Sequence, residues 1–417
     1  MELTLVNFGP LVYLTLALGL YMAWGIGAND FSNSVGPAVG AKVLSVREAI
    51  IVAIIFELAG ALFYGAHVTE TLIGNIIDLS AGDSQPMLLV HGMLASLLAA
   101  ALWLTLASAL GWPVSTTHSI IGAMVGFALV GIGSSAVHWD GIGRILGSWV
   151  ISPLAGGLLA FLIMKSFMLL ILRSPDPVKR VGYWAPLYVF LAGFLVCQVT
   201  FSKGLGLGLG LDLDLDLDDT KILLLSAFIG AGMAFIGIMV TRNRSAENVE
   251  RAFAPMTVFT VCAMAFAHGS NDVANSVGPI MLILDLLHRG AISAPAFGVP
   301  VWIFLLGGTG IALGVATFGF RVVRTISRDI TELTPCRAFA VALASTATVV
   351  LASGAALPVS TTHTVVGAVL GVGLASGRGA VHYPVINKIL IAWLITVPFT
   401  AFLAAILFLV ARAWPAL

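Results

Sequence analysis

Two short polar stretches sit inside long apolar runs of this sequence, and each occurs twice. The first reads Gly27-Ala28-Asn29-Asp30-Phe31-Ser32-Asn33-Ser34-Val35-Gly36-Pro37 and returns as His268-Gly269-Ser270-Asn271-Asp272-Val273-Ala274-Asn275-Ser276-Val277-Gly278-Pro279. Asn29, Asp30, Asn33 and Pro37 thus match Asn271, Asp272, Asn275 and Pro279 at an offset of 242 residues. The second, Pro113-Val114-Ser115-Thr116-Thr117-His118, returns as Pro358-Val359-Ser360-Thr361-Thr362-His363 at an offset of 245. Two unrelated motifs repeated in the same order at nearly the same spacing mark an internally duplicated chain.

A carboxylate held deep in an apolar span costs about 2.5–3.5 kcal/mol on insertion scales, so Asp30 and Asp272 need a reason to be there. One reason is structural, a side chain capping the second half of a broken helix. The other is a cation site. Carboxylate and amide oxygens from Asn29, Asp30, Asn33, Asn271, Asp272 and Asn275, with carbonyls freed at a helix break, are hard ligands that suit sodium or a proton-linked equivalent. Gly36-Pro37 and Gly278-Pro279 help keep those helices interrupted. Glu57, in Phe56-Glu57-Leu58-Ala59-Gly60, is a further intramembrane acid, either a cation ligand or gate, or a partner in a bond between helices.

The second motif reads as the complementary half. Pro113 and Pro358 open new half-helices, since proline is tolerated in a first turn. Ser115, Thr116 and Thr117, and again Ser360, Thr361 and Thr362, then set three hydroxyls beside free backbone N–H groups at a positive helix end, which makes an anion cradle. The competing account is that these hydroxyls bond only to their own backbone. His118 and His363 follow the hydroxyls, as proton carriers or as packing residues. Neither motif contains Lys or Arg. An anion held there would meet Asp30 and Asp272, so bound cations must supply the neutralising charge, and anion affinity becomes tied to the cation. That is the logic of symport. A hydrolase would instead need one nucleophile with its base and orienting acid, whereas Ser115 and His118 are duplicated.

The elements that position these groups follow from composition. Of 417 residues 59% are hydrophobic and only 10% charged, with a mean hydropathy of +1.04. Soluble domains carry about a quarter charged residues, so this chain is an integral membrane protein. Its apolar runs are long enough for spanning helices, which take about 20 residues each. They lie near 8–42, 48–67, 87–110, 115–135, 144–172, 184–202, 222–240, 253–287, 298–320, 338–357, 360–376 and 386–411, about twelve in all. The first and eighth are broken at the acidic motif, and the Gly-rich 115–135 and 360–376 are short enough to be re-entrant. The net charge of +0 excludes nucleic acid as a partner, and Cys197, Cys262 and Cys336 show no metal-ligand spacing.

Arg173, Lys179 and Arg180, then Arg242, Arg244 and Arg251, then Arg321, Arg324, Arg328 and Arg337 mark cytoplasmic loops. The loop near 68–86 has Glu70, Asp78 and Asp83 but no Lys or Arg, while its counterpart around 321–337 is basic, so the two copies point opposite ways. Seven spans separate the start of the first copy from the second, and an odd number inverts it. The expectation is an all-α polytopic protein of two inverted five-span repeats, 1–173 and 252–417, joined by a two-span linker, 174–251, with both termini outside. The run from Gly204 to Asp219, rich in Asp212, Asp214, Asp216 and Asp218, lacks the positions of a calcium loop and is expected to be a mobile external loop.

The doubled motifs resemble the inorganic phosphate transporter family of secondary carriers. Its paired signatures match 27–33 with 113–118 and 269–275 with 358–363, with Gly269-Ser270 replacing Gly-Ala in the second. The resemblance covers nearly the whole chain. It implies a homodimeric carrier in the cell membrane that imports inorganic phosphate with sodium by alternating access, without any resident cofactor. Ser115, Thr116, Thr117, Ser360, Thr361 and Thr362 would contact phosphate, and Asn29, Asp30, Asn33, Asn271, Asp272 and Asn275 would hold sodium, with both aspartates close to phosphate as well. Glu57 looks like the acid that sodium-coupled members carry in the first half; the acid many carry before the second Pro-Val-Ser-Thr-Thr-His is Ala342 here. Proton coupling, sulfate as another tetrahedral oxyanion, and an anion channel are the competing expectations.

Overall fold

Backbone that has no water to bond must satisfy itself, and a chain this apolar does so as helices. The computed structural model describes residues 9–74, 76–77, 86–202, 218–242, 249–289, 300–355 and 359–413. Among them there is no β-sheet, only an isolated bridge between Ile77 and Val137. The helices run α1 (Pro10–Ser34), α2 (Gly36–Gly40), α3 (Val46–Gly74), α4 (Pro86–Ala109), α5 (Thr116–Gly131), α6 (Trp139–Phe167), α7 (Pro177–Ser202), α8 (Asp219–Arg242), α9 (Val249–Asp272), α10 (Ala274–Arg289), α11 (Val301–Thr317), α12 (Phe320–Arg324), α13 (Pro335–Gly354), α14 (Thr361–Ser376) and α15 (Tyr383–Ala413). Most of the acidic run, with Asp212, Asp214 and Asp216, lies outside the described residues, as do Asp78, Asp83 and the two chain ends.

Among the described residues nine helical stretches are long and apolar enough to cross a membrane. A tenth forms if α11 and the turn-and-helix 320–329, bent by 61° to it, make one span. α5 and α14, at 16 residues each, reach about 24 Å and fall short of a hydrocarbon layer of about 30 Å. The chain is therefore a polytopic helical membrane protein. The basic stretch read from sequence as a loop from 321 is helical through Asp329, as α12 and a π turn. Arg321 is carried there by its contact with the Phe318 ring, 4.1 Å from the centroid, which lets a cation sit on apolar helix surface.

Both broken helices part at one residue. Val35, at φ −120°, separates α1 from α2, and Val273 separates α9 from α10. Pro37 sits in the first turn of α2, but Pro279 lies inside α10, past the break rather than at it. Each proline lacks the N–H that would bond four residues back, so neither the Asn33 nor the Asn275 carbonyl receives its usual helical donor.

Small residues set the closest approaches. A Cβ on Gly27 would overlap the Ile311 backbone and one on Gly314 the Trp24 backbone, which seats α1 on α11. In the same way Gly269 admits the backbone of Glu57, and Gly60 that of Phe266, seating α9 on α3. Gly122 and Gly126 receive α15, and Gly367 and Gly371 receive α6. Smaller features also recur: left-handed Gly133 and Gly377 each open a short 3₁₀ turn. Beyond those turns His138 N–H bonds Ile76 O at 3.1 Å and His382 N–H bonds Ile330 O at 3.0 Å.

Candidate ion and anion site at the broken helices

The breaks bring the acidic motif and the hydroxyl motif together in the protein interior. Asp30 and Asn33, three residues apart, share one face of the last turns of α1, and both are buried. Asn33 Nδ2 donates to Asp30 Oδ1 at 2.8 Å, which turns the carboxylate toward the start of α5, where Thr116 donates to its Oδ2 at 3.0 Å. The second copy repeats this pairing, with Thr361 donating to Asp272 Oδ2 at 2.7 Å. Each aspartate is thus fastened to the first turn of the short helix from its own copy.

The two copies are also stitched to each other. Thr362 lies 3.1 Å from Asp30 Oδ1 and receives a bond from Asn33 Nδ2 at 2.8 Å. Asn275 Nδ2 reaches Thr117 at 3.2 Å and Thr116 at 3.4 Å. Hydroxyls from both short helices therefore converge on one buried locus. Ser115 and Ser360 act as N-caps, their oxygens accepting from His118 N–H and His363 N–H at 3.2 Å each. That is the local backbone bond, and it leaves each serine O–H free to donate.

Asn29 and Asn271 are used differently from Asn33 and Asn275. Asn29 donates to Ser108 at 3.1 Å and Trp112 O at 3.0 Å, and accepts from Val114 N–H at 3.1 Å. Asn271 donates to Val359 O at 3.2 Å and Asp272 Oδ1 at 2.8 Å, and accepts from Ser353 at 3.3 Å. Both amides fasten the connection between a long helix and a short one.

His268 was quoted in the sequence motif without a role, and the structure puts it at the centre. Its Nε2 lies 2.8 Å from Asp272 Oδ2 and 3.6 Å from Asp30 Oδ2, and its Nδ1 lies 3.2 Å from Glu57 Oε1. Ligand atoms of Asp30, His268 and Asp272 all fall within 4.8 Å of one another. Ser34 donates to Glu57 Oε1 at 2.6 Å. The signal was there: the position 242 residues earlier is Ile26, so a polar residue stands where the first copy is apolar.

Two acceptor oxygens in this cluster, Asn33 Oδ1 and Glu57 Oε2, are buried without a hydrogen-bond partner. An unpaired acceptor in an apolar interior is costly, and a cation would satisfy it. No Lys or Arg is among the hydrogen-bond or ion-pair partners recorded for either motif, among the described residues. His118 and His363 face away from the carboxylates, toward Trp149 and Trp393.

A helical membrane protein with two broken spans, two short helices and a closed polar cluster of carboxylates and hydroxyls between them has the form of a membrane carrier. Residues 26–404 match the phosphate transporter family, and the chain belongs to that family. It is 42% identical over 411 residues to a putative phosphate permease of Haemophilus influenzae, covering 96% of this chain and 97% of that protein. It is 39% identical over 418 residues to the chloroplastic inorganic phosphate transporter 2-1 of Arabidopsis thaliana, covering 95% and 71%. Among solved structures it is similar to one titled the sodium-dependent phosphate transporter, with a TM-score of 0.90 and 36% identity over 97% of this chain and all of that one.

Proposed function

We propose that this chain is a secondary active carrier that imports inorganic phosphate by symport with sodium, through alternating access. The observation that carries the proposal is a buried juxtaposition of two carboxylates with two hydroxyl-bearing helix starts, with His268 between the carboxylates and no Lys or Arg among their partners in the described residues. Two like unit charges about 5 Å apart repel by about 3 kcal/mol at an effective dielectric near 20. Phosphate beside Asp30 and Asp272 is therefore bound only together with cations, which is the origin of coupling.

Ser115, Thr117 and Ser360 donate to the phosphate oxygens, joined by Thr116, Thr361 and Thr362 when their single O–H groups turn from the aspartates to the anion, and supported by the N–H groups of the first turns of α5 and α14. Asp30, Asp272, Asn33, Asn275 and Glu57 supply sodium with oxygens, helped by the two carbonyls that Pro37 and Pro279 release. Asn29 and Asn271 contribute whatever their oxygens have left after fastening the connections. The reciprocal seating of α1 on α11 and α9 on α3 supports two inverted repeats, 1–173 and 252–417, with 174–251 between them. A homodimer in the cell membrane, with both termini outside, completes the proposal.

Radiolabelled phosphate uptake into proteoliposomes tests it: an inward sodium gradient should drive accumulation above equilibrium. Flux that only equilibrates would indicate an anion channel, and sulfate transport untouched by excess phosphate would remove phosphate as the cargo. A second reading, proton coupling, is favoured by one observation, the bridging position of His268 among three carboxylates. Accumulation driven by a pH gradient in sodium-free vesicles would select it.

A further inference from the structure

Behind the hydroxyls runs a row of four rings. Trp149 of α6 packs on His118 at 3.6 Å between centroids, His118 meets His363 edge-on at 4.4 Å and 85°, and His363 stacks on Trp393 of α15 at 3.5 Å and 22°. Each tryptophan grips the histidine of its own half of the chain, so the only ring contact in this row that crosses between halves is His118 on His363. Two hydrogen-bond contacts also cross. His363 Nδ1 lies 3.3 Å from Trp149 O, and Trp393 Nε1 donates to Pro113 O at 3.0 Å. Both histidines are buried, at 1% and 4% exposure, and neither Nε2 has a hydrogen-bond partner. Their flat faces, rather than a chain of proton acceptors, are what the surroundings use.

Each histidine directly follows a pair of threonines, Thr116-Thr117 and Thr361-Thr362. A ring fixed on the back of the first turn fixes the hydroxyls on its front. We propose that His118 and His363 are positioning residues, whose rings lock the starts of α5 and α14 in register across the two halves and so set the spacing of the anion cradle. This rests on the hydroxyls being the phosphate ligands. It assigns the two histidines to substrate affinity through geometry, with no proton carried.

The test is phosphate uptake in proteoliposomes, read as a split between KM and maximal rate. His118→Ala should raise the phosphate KM about tenfold or more while the maximal rate stays within about twofold, because a displacement of about an ångström is enough to weaken an oriented site. His118→Phe keeps a flat ring and should restore KM to within about threefold of the parent, with an unchanged pH profile. Trp393→Phe keeps the stack but removes the bond to Pro113 O, and should raise KM about threefold to tenfold in a normally folded protein. That variant carries the test if His118→Ala does not fold. The proposal is overturned if KM is unmoved in His118→Ala, or in Trp393→Phe, if His118→Phe is as weak as His118→Ala, or if His118→Phe abolishes a pH dependence present in the parent. A parent protein that takes up no phosphate at all would remove the functional reading itself, and is told apart by the unmutated control.

Discussion

Asp30 and Asp272 each hold a threonine of their own copy and both approach Nε2 of His268, so either carboxylate made neutral keeps its shape but loses the charge that binds a cation. Asp30→Asn and Asp272→Asn should each lower sodium-driven phosphate accumulation at least about tenfold, since a hydrogen bond or contact to a charged group contributes about 1.5–3 kcal/mol. Size-exclusion profiles should stay those of the parent; normal accumulation in either variant would refute the cation site. Glu57→Gln retains an acceptor for Ser34 but not the charge, and should raise the sodium concentration needed for half-maximal uptake, as a sodium titration at fixed phosphate would register. At this scale the sequence was informative because acids and amides in apolar runs have few uses. It did not separate Asn33 and Asn275, which reach the opposite copy's hydroxyls, from Asn29 and Asn271, which tie down connections, because both pairs are asparagines in one motif. His268 was visible only as a mismatch to Ile26, and its reach to Glu57 is made through α3 packing on α9, which no local pattern encodes.

Among the elements, the reciprocal glycines make the firmest expectation. Gly27→Val and Gly269→Val each drive a branched side chain into a neighbouring main chain, and overpacking of this kind costs about 1–3 kcal/mol or more. Thermal-shift measurements in detergent should show both variants clearly destabilised, whereas Gly143→Val, where an added Cβ meets nothing within 4 Å, should unfold at the parent temperature. Helices and short re-entrant-length segments followed directly from apolar runs, and the breaks from the polar motifs, although Pro279 lies inside α10 rather than at its break. The helical continuation over 320–329 did not, because its arginines read as loop until Phe318 supplies a surface for Arg321. Nor did the partner of Glu57. Its backbone seats Gly269 as that of Ile311 seats Gly27, so by contact the corresponding place in the second half is Ile311, not the Ala342 suggested by sequence resemblance. The offset between copies, 242 residues at the acidic motif, is 254 between Gly60 and Gly314, and loops of unequal length hide such correspondences from an alignment by spacing.

At the scale of the whole molecule, α4 and α13 are the most enclosed spans and α8 and α15 the least, which places apolar side chains such as Phe228 and Leu394 outward, toward lipid. A carrier that keeps both termini on the outer side should expose epitope tags at either end to protease added to intact cells; a tag protected at one end only would contradict the proposed topology. The membrane class was legible from 10% charged residues alone, and the transporter family from the doubled motifs. What spacing cannot encode is that the hydroxyls of each half serve the other's asparagine, since that depends on the two halves interlocking.

That interlock is not even-handed. The first half contributes Glu57 and the second His268, while the places opposite them hold Ile311 and Ile26. A chimera built from the first half twice would bury four acids with no imidazole between them, and one built from the second half twice would bury two imidazoles against two acids. The acid of one half and the imidazole of the other thus complete a single cluster, which neither half's own side chains would make twice over.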